Sequence, residues 1–302
     1  MSESIRPASN PRSLLHVEQA TMQFGGLTAL SSFSLDVKKG DLQGLIGPNG
    51  AGKTTAFNVM TGVYAPTSGR IVVDGEPVNG RLPHQVNRAG LARTFQNIRL
   101  FKELSALDNV KVGCLADDRP PTSMFSRRRS DDDRREGRFF VAHARDAWGN
   151  YLDWWRTFLQ TSGFGDDEAR IDDRARSILD VLGLGHRSDE LARNLPYGEQ
   201  RRLEIARALA PSPKVLLLDE PAAGMNTREK AELMTLIQKL RDDFEIGVLL
   251  IEHDMKLVMG ICEHITVLDH GETIATGTAA EVKRNPKVIE AYLGVESKEL
   301  QA

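Results

Sequence analysis

The sequence predicts an α/β fold with a mostly parallel sheet and helices on both faces. Three observations predict it. Short apolar runs stand at residues 42–46 and 247–251, and a continuous one at 215–218, the pattern of buried strands. Helical patterns alternate with these runs, as the crossovers of a parallel sheet require. Between the first run and a breaker-free stretch at 54–60 sits GPNGAGKTT, residues 47–55, which fits G-x-x-x-x-G-K-S/T.

Taken in order, residues 1–13 read as a disordered arm. Residues 14–22 and 32–37 alternate as strands of a half-exposed sheet, with Phe24, Gly25 and Gly26 as a turn between them. Next comes the glycine loop. Its glycines let successive N–H groups turn inward, so Gly47, Pro48, Asn49, Gly50, Ala51, Gly52, Lys53, Thr54 and Thr55 form a candidate phosphate cradle. Lys53 can reach β and γ phosphates, the Thr54 hydroxyl can ligate Mg²⁺, and the following helix offers its N-terminus to an anion. Residues 66–69 turn into a strand at 70–73, reversed by Asp74-Gly75, and 93–96 read as one more short strand.

From 106 to 195 helical patterns dominate, beginning near Ser105. A sign-alternating charged block at 127–135 reads as a solvated face rather than a nucleic-acid patch. Tyr151, Trp154, Trp155 and Phe158 form an aromatic stripe on one helix face, suited to packing on its own subdomain or to an exposed partner contact. Residues 171–182 form an amphipathic helix stopped by Gly183 and Gly185. The α/β pattern then returns. A helix at 200–209 precedes the strand at 215–218, and Thr227 can cap a helix that buries Leu233, Leu236, Ile237 and Leu240. After the strand at 247–251, Asp254 can cap a helix at 255–259, and 265–268 pairs with 273–275 as a hairpin. A helix at 278–284, a break at Pro286 and a last helix to Leu293 end the pattern. The expected division is an arm (1–13), a phosphate-loop core with an antiparallel β subdomain (14–104), a helical subdomain with an insertion (105–195), the core continued (196–277) and C-terminal helices (278–302).

Composition sets limits. With 302 residues and 40% apolar content the chain can bury a sizeable core. A net charge of −3 gives no pointer to nucleic acid or an anionic membrane. Cys114 and Cys262 are far apart and suit buried free thiols in a reducing compartment. The polar start MSESIRPASNPRS is not a secretory leader, and no apolar run reaches the roughly 20 residues needed to span a bilayer. A role at a membrane therefore needs another chain to carry it there.

The run at 215–218 ends in Asp219-Glu220, and acids at a strand end are what a phosphate loop needs beside it. Asp219 would face the metal, usually through water, and Glu220 would polarise an attacking water. His253 follows the next strand. A lone histidine is more often structural, but this position lets it bond a γ-phosphate and hold Glu220 and the water in line. Gln96 follows a short strand, and its amide can touch Mg²⁺ or the water and withdraw as its loop moves.

These residues resemble the ATP-binding-cassette (ABC) ATPases from about residue 14 to 293. The family's elements occur in family order: Phe24, GPNGAGKTT, Gln96, the signature segment LPYGEQ at 195–200, LLLDEP, the 222–226 turn and His253. The resemblance implies a P-loop NTPase core, ATP and Mg²⁺ as cofactors, and Phe24 stacked on adenine. It implies hydrolysis by Lys53, Thr54, Gln96, Glu220 and His253, through positioning and electrostatic stabilisation. It also implies a dimer in which Tyr197, Gly198, Glu199 and Gln200 of one subunit cap the γ-phosphate held by the other. Two departures stand out. Pro196, Tyr197 and Glu199 replace the serine, first glycine and glutamine of L-S-G-G-Q, and Asn226 replaces an aspartate. The site completed by this signature is expected to be the weaker of two, and the second subunit a different chain, with a homodimer as the alternative.

Within the family, RTFQNIRLF, YGEQRRLEIARAL, LLIEHDMKLVMG and NPKVIEAYLG are similar to the LivG-type ATP-binding subunits of branched-chain amino-acid importers. That similarity implies two transmembrane permease subunits, met by the loop with Ile98, Leu100 and Phe101, an external substrate-binding protein, and a peripheral place on the cytoplasmic face of the inner membrane. Related systems for urea or amide import or lipopolysaccharide export are the near alternatives. A soluble clamp in DNA repair or translation is a different class, disfavoured by the single cassette and the absence of a long coiled-coil arm. Glu220 and His253 disfavour a non-hydrolysing module.

Overall fold

The computed structural model describes residues 13–115 and 162–299. The arm before Ser13, the charged block and the Tyr151/Trp154/Trp155/Phe158 stripe lie outside the described residues.

Two sheets organise the chain. The first is antiparallel, in the order β2-β1-β4-β5, from β1 (Ser13–Phe24), β2 (Leu27–Lys38), β4 (Ser68–Val73) and β5 (Glu76–Pro77). The second has six strands in the order β10-β9-β3-β8-β7-β6. Its members are β3 (Leu42–Ile46), β6 (Leu91–Arg93), β7 (Val215–Asp219), β8 (Gly247–Ile251), β9 (His264–Asp269) and β10 (Glu272–Gly277). All pairings in it are parallel except the β9–β10 hairpin. The helices are α1 (Lys53–Met60), α2 (Pro83–Ala89), α3 (Ala106–Cys114), α4 (Ser162–Val181), α5 (Tyr197–Leu209), α6 (Thr227–Phe244), α7 (Met255–Ile261), α8 (Ala279–Arg284) and α9 (Pro286–Glu299).

Side-chain alternation along the central strands builds two cores. Leu42, Leu216, Leu218, Val248 and Leu250 face one side, where they meet Leu203 and Leu209 of α5 and Leu233 and Ile237 of α6. Leu45, Val215, Leu217, Leu249 and Ile251 face the other, against Phe57 and Met60 of α1 and Leu15, Phe33 and Val37 of the antiparallel sheet. Every residue of β3, β7 and β8 is buried, which is why these strands read as mostly apolar runs; Gln43 is the one polar side chain within β3, and its Nε2 donates to the Asp36 carbonyl at 2.7 Å. Each buried leucine contributes about 1.5–3 kcal/mol. Val110, Ile178 and Leu179 of the helical region belong to the first core, so that region is continuous with the sheet. Both cysteines are buried, and no disulfide joins them.

Several boundaries differ from expectation. The strand expected at 93–96 lies at Leu91–Arg93, because pairing with Val215–Leu217 ends there; Thr94 N–H still bonds the Leu217 carbonyl, and Gln96 is left in a loop. The Phe24 turn is a two-residue loop, with Phe24 itself paired to Leu27. Asn226, not Thr227, caps α6: its side chain accepts from the N–H groups of Arg228 and Glu229 at 3.0 Å. Helix α5 begins at Tyr197, before the expected Gln200, since Pro196 holds an extended conformation at its N-cap. Pro286 opens the last helix instead of breaking the chain, because proline at a first helical position loses no bond, and Asn285 caps Lys287 N–H at 3.0 Å. That helix continues past Leu293 to Glu299.

Gly44, in the middle of β3, lets α7 pack against the sheet: a Cβ there would meet Val258 Cγ1 at 2.5 Å and Cys262 Sγ at 3.3 Å. Gly44→Ala is expected to lower unfolding free energy by about 1–3 kcal/mol, read as a lower urea midpoint at unchanged slope. An unchanged midpoint would contradict this packing.

Candidate functional site

The loop of residues 47–52 joins β3 to α1 at the carboxyl edge of the parallel sheet. Two of its glycines are required by space and by backbone. A Cβ on Gly47 would sit 2.1 Å from the Leu268 carbonyl, and one on Gly52 2.7 Å from the Ala29 carbonyl; Gly52 also has φ +100°. Pro48 and Ala51 close a turn through the Ala51 N–H to Pro48 carbonyl bond at 3.2 Å, and Ala51 is buried. Asn49, Gly50 and Thr54 are exposed, and Thr55 is half-buried. No side chain caps α1, so its first N–H groups face the loop's concavity with the positive end of the helix dipole. Lys53 is buried, and its Nζ donates to the Gly47 and Pro48 carbonyls at 2.7 and 2.9 Å. Burial lowers the Lys53 pKa, while the nearby charges of Glu220 and Asp219 pull it upward.

Strand order delivers the acids. β8 lies between β3 and β7, and all three end on the same edge. Asp219 closes β7, buried beside Arg93, whose Nη2 is 3.4 Å from Oδ2. Burial raises the Asp219 pKa, partly offset by Arg93. Arg93 is itself fixed by Asn58 Oδ1 at 2.9 Å and Thr61 Oγ1 at 3.1 Å, with its guanidinium over the Phe95 ring. Glu220 has φ +45°, a conformation that costs a non-glycine residue energy and marks a constrained position. Its N–H bonds the Ile251 carbonyl, and its Oε2 accepts from Gln96 Nε2 at 2.9 Å. His253, just past β8, has Nδ1 3.8 Å from Glu220 Oε2 and 3.9 Å from Glu252 Oε2, beyond hydrogen-bond length. Gln96, Glu220 and His253 therefore converge, although they come from different segments of the chain.

Phe24 is 42% exposed, and the edge of Tyr64 supports its ring at 5.2 Å between centroids. The signature residues lie at the start of α5. Tyr197 is exposed and passes close to Gly224 in the turn after β7. Gly198 has open space where a Cβ would be. Gln200 turns its amide back to the Leu195 carbonyl at 2.8 Å. The Glu199 carboxylate is 2.8 Å from Arg187 Nε, so its charge is balanced within its own subdomain.

Sequence reasoning missed four participants. Arg93 anchors Asp219, as described. Glu252, 1% exposed, accepts the Ala222 N–H at 2.9 Å and so fixes the turn after Glu220. Arg201 and Glu204 form a buried ion pair at 2.7 Å under the Gln96 loop. The only sequence signal for this pair is its i,i+3 spacing among the apolar positions of α5; adjacent Arg202 looks identical in sequence but points outward to Glu232.

Comparison with known proteins gives consistent results. A family model described as ABC transporter matches residues 30–223, and one described as branched-chain amino acid ATP-binding cassette transporter matches 272–298. The high-affinity branched-chain amino acid transport ATP-binding protein BraF of Pseudomonas aeruginosa is 42% identical, over 94% of this chain and 98% of that protein. LivG of Escherichia coli (strain K12) is 40% identical, over 93% and 98%. Among solved structures, the ADP conformation of MJ1267, an ATP-binding cassette of an ABC transporter, superposes with a TM-score of 0.72 at 27% identity, covering 94% of this chain and 99% of that one.

Burial raises the Glu252 pKa above that of an unfolded chain. Such a group favours the native state fully below its unfolded pKa and loses that contribution as pH rises through its folded pKa. Glu252→Gln, which keeps an oxygen for the Ala222 N–H, is therefore expected to match or exceed the parent in stability at pH 7–8. The difference should shrink toward pH 5 in urea melts. Glu252→Leu, which removes the acceptor, should cost about 1–3 kcal/mol at both pH values.

Proposed function

We infer the function from one premise: the chain belongs to the ABC transporter family. It is an ATP-hydrolysing subunit that powers a branched-chain amino-acid importer. The observation that carries hydrolysis is the convergence of Gln96 and Glu220, 2.9 Å apart, with His253 on the edge that holds the phosphate loop. Identity of 40–42% to BraF and LivG over nearly their whole length supports the branched-chain assignment over urea, amide or lipopolysaccharide systems.

Each residue then has a role. Phe24 stacks on adenine. On ATP binding Lys53 exchanges the Gly47 and Pro48 carbonyls for β- and γ-phosphate oxygens, and the N–H groups of 49–55 with the α1 terminus surround the phosphates. Glu220 polarises the attacking water, and Gln96 and His253 hold that water in line. The Thr54 hydroxyl, the Asp219 carboxylate and the Gln96 amide are hard oxygen donors of the kind that suit Mg²⁺ with nucleotide phosphates. Mg²⁺, when bound, neutralises charge on the β and γ oxygens.

The phosphate loop is half of a composite site. A second ATP-binding subunit supplies the other signature, while Tyr197, Gly198, Glu199 and Gln200 of this chain serve the opposite nucleotide. The pairing of Glu199 with Arg187 removes part of the repulsion that an acid would bring there. A groove of about 570 Å³, lined in part by Phe95, Arg99, Leu100, Phe101, Val112 and Arg207, is suited to a helix of a permease subunit. Among the described residues no helix is long and apolar enough to cross a membrane. On this reading two permeases hold the chain at the cytoplasmic face of the inner membrane, and an external binding protein delivers the amino acid.

Glu220→Gln should bind ATP as the parent does while turnover falls about 10²–10⁴-fold. Normal steady-state hydrolysis in that variant would refute the role of Glu220. Reconstituted with its permeases and binding protein, the parent should hydrolyse ATP faster when leucine is supplied. A rate indifferent to every branched-chain amino acid would remove the substrate assignment.

A further inference from the structure

Arg201 and Glu204 are 0% and 2% exposed, and none of the roles above uses them. Two buried charges are poor evidence for stability, because a well-packed apolar pair often serves as well. Their partners are specific, however. Arg201 Nη1 donates to the Phe95 carbonyl and Nη2 to the Gln96 carbonyl, each at 2.7 Å. Glu204 Oε2 receives Arg201 at 2.7 Å, and its Oε1 lies 3.5 and 3.3 Å from the N–H groups of Phe95 and Arg99. Both main-chain directions of the Gln96 loop are thus tied to α5, the helix that opens with the signature. Arg201 lies one turn beyond Tyr197, about 6 Å along the axis. The same stretch of loop lines the groove suited to a permease, and Glu204 lies in that lining. From Gln96 the side chain continues to Glu220.

We propose that Arg201 and Glu204 are positioning residues for hydrolysis. They fasten the Gln96 loop to the signature helix, so that displacement of α5 moves Gln96 relative to Glu220. The signature and the amide at the water then respond together to a partner subunit or permease. This rests on the roles given above to Gln96 and Glu220.

The test is a mutant cycle in the assembled transporter, with kcat and KM for ATP measured in Arg201→Met, Gln96→Ala and the double variant. Arg201→Met should lower kcat about tenfold and leave KM within about twofold. In the Gln96→Ala background the same change should cost less than about twofold, because the residue through which it acts is gone. Losses that multiply would overturn the inference, as would a raised KM at unchanged kcat. Parent-like kcat in Gln96→Ala would remove the role of Gln96 and the inference with it, an outcome distinct from multiplying losses. If Arg201→Met does not fold, Arg201→Met/Glu204→Leu removes both charges together and enters the same cycle with the same criteria.

Discussion

Three neighbouring parallel strands, β3, β8 and β7, end on one edge of the sheet, and each delivers a different group there. β3 runs into the loop that ends at Lys53, β8 leads to His253, and β7 ends in Asp219 with Glu220 next. Neighbouring strands are about 4.8 Å apart, so the loop and the acids stand roughly 10 Å from each other. On the function proposed above, that gap is where a terminal phosphate and a water would sit. Parallel pairing of β3 with β8 and of β8 with β7 puts the three ends on one edge, and burial of the strands on both faces keeps the spacing rigid.

The chain that closes this edge, residues 93–99, makes no long strand of its own. Its geometry comes from guanidinium groups. Arg93 ties the beginning of the segment to Asp219, Asn58 and Thr61, and Arg201 holds the carbonyls of Phe95 and Gln96. A planar fork with several donors suits this task, since one side chain can fix two acceptors at once. The loop is thereby set by contacts to both the sheet and the helical region. Such a loop can report the relative position of the two.

The sheet was legible because burial on both faces leaves short, mostly apolar runs, and the loop was legible because glycine spacing there answers a steric demand at Gly47 and Gly52. Asp219, Glu220 and His253 were legible from their places at strand ends. Arg93, Arg201, Glu204 and Glu252 were not, because an isolated charged residue in a helix or beside a strand looks solvated until the fold buries it. The end of β6 depends on where its partner strand stops. The start of α5 depends on Pro196, whose tolerance at a helix start is compatible with more than one boundary. The Glu199 charge looked like a defect in isolation and is balanced by Arg187, distant enough in sequence that no local pattern joins them.

On the function proposed above, the site is chemically complete on one side and takes its second signature from another subunit. Sedimentation of the full-length Glu220→Gln variant, alone and mixed with the second ATP-binding subunit, tests this most directly. With ATP and Mg²⁺ a nucleotide-dependent dimer should form, with the second subunit in preference to itself, and dissociate when ATP is replaced by ADP. Saturating ATP binding with no association in either sample would contradict it.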